Sequence, residues 1–283
     1  MTSLLSGCGK QEMIAVGTIA AVVVAAPIVL PYAAMTTKSD VKKAFPDSTQ
    51  TQMLAKASGK GDLSKIDKLI AKGADVNAKG KDGITVLAWA LHSKNYRGFN
   101  HLLKIGADPN ITWGKDLPEY FYVRDSVMHS AEGIFLQTAL EAGGNPNLSS
   151  DGKRVVETKH WYCNIGDFKI LEPYGLEYEF ITEDGSPFIN TLAYRKCYNL
   201  ICYILKKGVN TSLKDQYGST LFDIMQTSIA RLDRSTYAWL NDTQKKWLWS
   251  CVEIMENKGY DFSLSPTAQA ERINDMEDKP TSS

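Results

Sequence analysis

Six glycines punctuate the chain and constrain its fold more than any other feature. They are Gly73, Gly106, Gly143, Gly175, Gly208 and Gly259, spaced 33, 37, 32, 33 and 51 residues apart. Seven residues before each stands an apolar side chain: Ile66, Phe99, Leu136, Phe168, Ile201 and Val252. Four before each stands another: Leu69, Leu102, Ala139, Leu171, Ile204 and Met255. That spacing predicts one face of a helix closed by a glycine. Glycine there takes the left-handed conformation that satisfies the last carbonyls. A period of this length marks stacked units, none of which buries its apolar face alone.

The residues after each glycine repeat as well. Gly73-Ala-Asp-Val-Asn77 is matched by Gly106-Ala-Asp-Pro-Asn110 and Gly143-Gly-Asn-Pro-Asn147. Weaker copies begin at Gly175, Gly208 and Gly259. Turns follow at Lys81-Asp82-Gly83, Ser150-Asp151-Gly152, Glu183-Asp184-Gly185 and Gln216-Tyr217-Gly218. Asp-Gly and similar pairs favour tight turns. A short helix comes next, as in Thr85-Val-Leu-Ala-Trp-Ala90, with Thr85 as its expected cap.

This unit resembles the ankyrin repeat. Gly83-Ile-Thr85-Val-Leu-Ala-Trp-Ala90 is similar to that family's Gly-x-Thr-Pro-Leu-His-x-Ala stretch, with Val86 and Ala88 departing from it. The resemblance covers residues 49–264 and implies an all-α solenoid of about six helix-turn-helix units. The third unit carries extra residues, Asp116 to Arg124. Pro173 predicts a short or kinked second helix in the fourth. The last is stretched by about 18 residues between Ile229 and Trp249, as terminal repeats often are. Residues 265–283 turn polar and are expected to be a disordered tail.

Residues 1–48 read as an anchor segment. Met13 to Thr37 holds no charged residue, long enough for an apolar transmembrane segment. Upstream, Leu5-Ser6-Gly7-Cys8 resembles the bacterial lipoprotein box, which would make Cys8 a lipidation site. Orientation cues conflict. Lys38, Lys42 and Lys43 favour a cytoplasmic C-terminal side, whereas lipidation places the body in the periplasm.

No catalytic motif is present: no G-x-S-x-G, P-loop, H-E-x-x-H or C-x-x-C. His160 and Cys163 could share a helix face, but no third partner suggests a metal site or thiol nucleophile. No cofactor is expected. Cys197 and Cys202 read as buried free thiols, with a Cys163–Cys197 bridge as the alternative in an oxidising compartment. Lys+Arg 32 against Asp+Glu 32 gives zero net charge and disfavours a general nucleic-acid binder.

Binding is therefore the expected role, on the surface that stacked repeats create. The candidate contact residues are Trp89, Trp113, Tyr120, Phe121, Tyr122 and Trp161, since aromatics often anchor interfaces. Trp113 is expected on the surface because its turn offers little to bury against. Core and surface remain equal alternatives for Trp89. An anchor followed by a few divergent ankyrin repeats is similar to the immunity proteins paired with type VI secretion phospholipase effectors. That resemblance implies a non-catalytic protein that binds a secreted toxin or lipase at a bacterial membrane, in the periplasm. The alternative is an inner-membrane ankyrin adaptor facing the cytoplasm.

Overall fold

A computed structural model describes residues 38–113, 125–159, 163–232 and 240–277. Helix α1 (Lys38–Ala44) precedes six helix pairs. These are α2 (Thr49–Lys60) with α3 (Leu63–Ile70), α4 (Val86–His92) with α5 (Tyr96–Lys104), and α6 (Val127–Ser130) with α7 (Gly133–Glu141). They continue as α8 (Val155–Lys159) with α9 (Ile165–Leu171), α10 (Phe188–Tyr194) with α11 (Tyr198–Leu205), and α12 (Leu221–Leu232) with α13 (Asp242–Glu256). Helix α14 (Pro266–Glu277) follows.

The twelve apolar positions phased to the six glycines are all buried. Apart from the smaller Ala139, each such side chain contributes roughly 1.5–3 kcal/mol when withdrawn from water. All six glycines have positive φ, from 84° to 98°. Polar caps start many helices. Thr85 accepts from Ala88 N, as expected, and Ser48, Asp62, Asn95, Ser126 and Asn164 cap others in the same way. Pro173 acts as predicted: α9 stops at Leu171 and a 3-10 turn, Glu172–Tyr174, completes the unit.

Between units the chain makes hairpin-like fingers. Strands β1 (Ser149–Ser150) and β2 (Lys153–Arg154) pair antiparallel, and single bridges join Lys79 to Thr85, Thr112 to Ser126, and Ile181 to Pro187. Neighbouring fingers touch: a Cβ on Gly83 would lie 2.9 Å from Trp113 Cβ.

The Asp and Asn that follow Gly73 and Gly106 have separate tasks. Asp75 and Asp108 accept from the amides of Asn77 and Asn110, each at 2.8 Å. The asparagines then reach the next unit. Asn77 Nδ2 donates to Gly106 O at 3.2 Å while Oδ1 accepts from Asp108 N at 2.8 Å. Asn110 bridges to Gly143 O and Asn145 N at 3.0 and 2.7 Å. Asn147 bridges to Gly175 O and Glu177 N at 2.8 and 2.9 Å. Each asparagine therefore satisfies a carbonyl and an amide that the turn leaves unpaired.

Beyond the fourth unit the fastening changes. Glu179 accepts from Asn210 N, and no asparagine follows at Ser212. Cys163–Cys197 instead joins the fourth unit to the fifth, and Cys202–Cys251 joins the fifth to the sixth. The expectation of buried free thiols is corrected. Stacking brings the paired Cα atoms to 5.1 and 5.0 Å, within disulfide range. Glu172 reinforces the first of these junctions, receiving Tyr203 Oη and Lys207 Nζ from α11 and the turn after it, each at 2.5 Å.

Two boundaries also move. Residues 265–277 were expected to be disordered, yet 266–277 form α14. Ala268 is buried, Arg272 makes a two-pronged ion pair with Glu256 (2.9 and 2.7 Å), and Trp249 Nε1 donates to Asp275 at 3.2 Å. Residues 38–48 were grouped with the anchor, yet Val41, Ala44 and Phe45 are buried against the first two units. Gln52 Nε2 donates to Phe45 O at 2.8 Å, and a Cβ on Gly80 would meet Ala44 O at 2.1 Å.

Candidate binding surface

The predicted contact residues separate sharply. Trp89 is 1% exposed. Its ring meets Phe45 edge-on at 6.0 Å and His92 at 5.4 Å. Phe45 lies outside the repeat pattern, so periodicity gave no sign of this cover. Trp113, expected on the surface, is 6% exposed. The preceding finger closes on the Trp113 Cα and Cβ, where Gly83 has no side chain to hold it off. Tyr120, Phe121, Tyr122 and Trp161 lie outside the described residues, as do Cys8 and the apolar run. Among the described residues no helix is long and apolar enough to cross a membrane, and no group of three or more side chains could hold a metal ion.

Exposed large apolar side chains occur along all the described units, and five of the ten lie on the fifth and sixth. Ile181 stands in the fifth finger and Tyr194 ends α10, 55% and 49% exposed. Tyr217 tips the sixth finger and is 78% exposed. Tyr194 Oη donates to Asp215 Oδ2 at 2.5 Å, tying α10 to the next finger. Burial and this hydrogen bond push the Tyr194 phenol up to about 12, so it remains a donor at neutral pH. The Asp215 carboxylate is held in turn by the amides of Tyr217 and Ser219, each at 2.9 Å. Two aromatic rings are thus presented on a braced backbone, an arrangement suited to anchoring a protein partner. Tyr217 was legible in part, for it replaces the acidic residue of Asp82-Gly83 and Asp184-Gly185 at the turn tip.

A second concavity lies between the third and fourth units, with a volume of about 730 Å³. It opens where the first helices are short: α6 has 4 residues and α8 has 5. Lys159 lies at its base and donates to His129 O and Ala131 O at 2.9 and 2.5 Å. Its ammonium satisfies carbonyls left free at the end of α6. Burial lowers its pKa to about 8, while Asp167 and Glu132 on the cavity wall pull it upward. The lysine is thus committed to the backbone, which accounts for its burial without any reaction.

No protein-family model matches the chain. The mitochondrial disaggregase of Homo sapiens is 23% identical over 212 residues, covering 70% of this chain and 28% of that protein. The chain therefore spans less than a third of that relative's length. Among solved structures, an ankyrin-repeat protein is 17% identical with a TM-score of 0.52, covering 74% of this chain and 98% of its own. An ankyrin-repeat domain from Acinetobacter baumannii is 16% identical with a TM-score of 0.53, covering 71% and 97%. A chain from the complex of a Bdellovibrio bacteriovorus predatory endopeptidase with an immunity protein is 19% identical over 63% of this chain and 93% of its own, with a TM-score of 0.46. The likeness to the first two of these structures shows that the described residues have the ankyrin-repeat fold.

Proposed function

We propose that this chain is a non-catalytic, membrane-anchored binding protein of the bacterial periplasm that neutralises a type VI secretion phospholipase effector. The observation that carries the reading is the pairing of the cysteines. Two bridges between buried repeats favour an oxidising compartment. They use four of the five cysteines and leave Cys8, in Leu5-Ser6-Gly7-Cys8, with no cysteine partner in its own chain. A lipid on Cys8 would remove a reactive thiol and tether the repeats. Ile181, Tyr194 and Tyr217 then supply apolar contacts for a partner, and inhibition by occlusion requires no chemistry from the inhibitor. The rival reading, an adaptor facing the cytoplasm, draws on Lys38, Lys42 and Lys43 but places two structural disulfides in a reducing compartment.

The test is a reporter active only in the periplasm, fused after Ser283 in the native host. Signal, together with labelled fatty acid incorporated at Cys8, supports the proposal. A cytoplasmic fusion product overturns it and leaves the adaptor.

A further inference from the structure

Charge is divided unevenly along this neutral chain. Residues 38–113 carry 13 Lys and Arg against 7 Asp and Glu, whereas residues 125–277 carry 15 against 21. On the first unit, residues 49–72 carry five lysines against Asp62 and Asp67. Helix α2 contains no acidic residue. It buries Thr51, Leu54, Ala55 and Ser58 on one side. Thr49, Met53, Lys56 and Lys60 follow the helical repeat on the opposite side. Lys65 and Lys68 form a parallel row on α3, continued by Lys72 in the turn beyond it, and all three are exposed. Gln50 Nε2 donates to Lys72 O at 3.2 Å, linking α2 to the turn after α3. Asp67, the one acidic residue within α3, turns instead to His101 of the next unit at 2.6 Å. Helix α1 adds exposed Lys42 and Lys43. Between α1 and α2 lies a shallow notch of about 170 Å³ that includes Val41, Lys42, Met53 and Lys56.

We infer that this lysine face rests on the anionic headgroups of the bilayer that holds the chain, an inference that depends on the anchored reading above. Lysine ammoniums are compact cations suited to a phosphate-rich plane, and a polybasic surface beside an anchor gains affinity from each charge. Continuity favours a bilayer over a soluble polyanion. Lys42 stands five residues beyond Thr37, the last residue of the uncharged run. The acidic remainder of the repeats is repelled by the same plane and left free for a partner.

The test uses the full chain in nanodiscs of phosphatidylcholine alone or with about 30% phosphatidylglycerol. Acylation of Lys60, Lys65, Lys68 and Lys72 is followed against Lys206 and Lys258 in the last two units. The expected result is about three- to tenfold slower labelling of the first set on anionic discs only, reversed by high salt. Equal rates on both discs overturn the inference and leave the anchor intact. The combined variant Lys60→Gln, Lys65→Gln, Lys68→Gln, with Lys72 as the probe, is expected to lose the lipid dependence; unchanged protection of Lys72 also overturns it. A chain that enters neither disc overturns the anchored reading, and this inference with it.

Discussion

The first three junctions of the solenoid and the last two solve one problem with different chemistry. Asn77, Asn110 and Asn147 stitch the early units through paired hydrogen bonds to the next backbone. Cys163–Cys197 and Cys202–Cys251 staple the later ones covalently. The two devices differ in what they oppose. A hydrogen bond to a backbone group is exchanged for water on unfolding, so its net contribution is modest. A disulfide persists in the unfolded chain and restricts it. The family-like motif decays where the cysteines begin, so a weaker Gly-x-Asp-x-Asn copy is no sign of a weaker junction.

The largest expected effect comes from the staples. The double variant Cys202→Ala, Cys251→Ala should lose about 2–5 kcal/mol in chemical denaturation. Native-state hydrogen exchange should place that loss in α11 to α13. Equal loss in α2 to α5 would show that the two regions are not energetically distinct. Asn110→Ala should cost about 0.5–1.5 kcal/mol, because water replaces its solvent-exposed hydrogen bonds to Gly143 O and Asn145 N. Ser212→Asn is the reciprocal test; no stabilisation there would mean that the stapled junction has no room for the stitch.

Acid should separate the regions next. Burial lowers the His92 pKa from 6.5 to about 4, with Asp40 opposing and Lys94 assisting. Between those values the unfolded chain binds the proton more readily, so folding stability falls as pH drops through the window. The early units should loosen first, and His92→Gln should flatten the fall. A wild-type pH slope that the variant leaves unchanged would remove His92 as its source. The smallest effect is predicted for Tyr217→Ala, within about 0.5 kcal/mol of wild type, because the ring makes little internal contact. A larger loss of stability would reassign Tyr217 from partner contact to support of the finger.

The parts of this architecture readable in advance were local. Glycine position and helical period require only neighbouring residues, and all twelve phased side chains are buried accordingly. The burial of Trp113 is not legible in its own turn, because the close approach of the preceding finger at Gly83 exists only after stacking. Helix α14 escaped notice because its composition is polar and its hold is tertiary, through Arg272, Ala268 and Asp275. Cysteine pairing depends on distances that exist only after stacking. The contact surface was read from aromatic content, whereas exposure depends on what the next unit covers. Tyr217 reads in the sequence only as a turn residue, whereas it is the most exposed of the large apolar side chains described.

The staples also set how far the protein can be stretched. Residues enclosed by the two bridges, with separations of 34 and 49, cannot be drawn out while the bonds hold. Pulled from its ends, an oxidised chain should stop roughly 280 Å short of a reduced one. Tension applied from the N-terminal side would spend itself on the stitched repeats. The stapled end, which carries Tyr194 and Tyr217, would keep its shape under load.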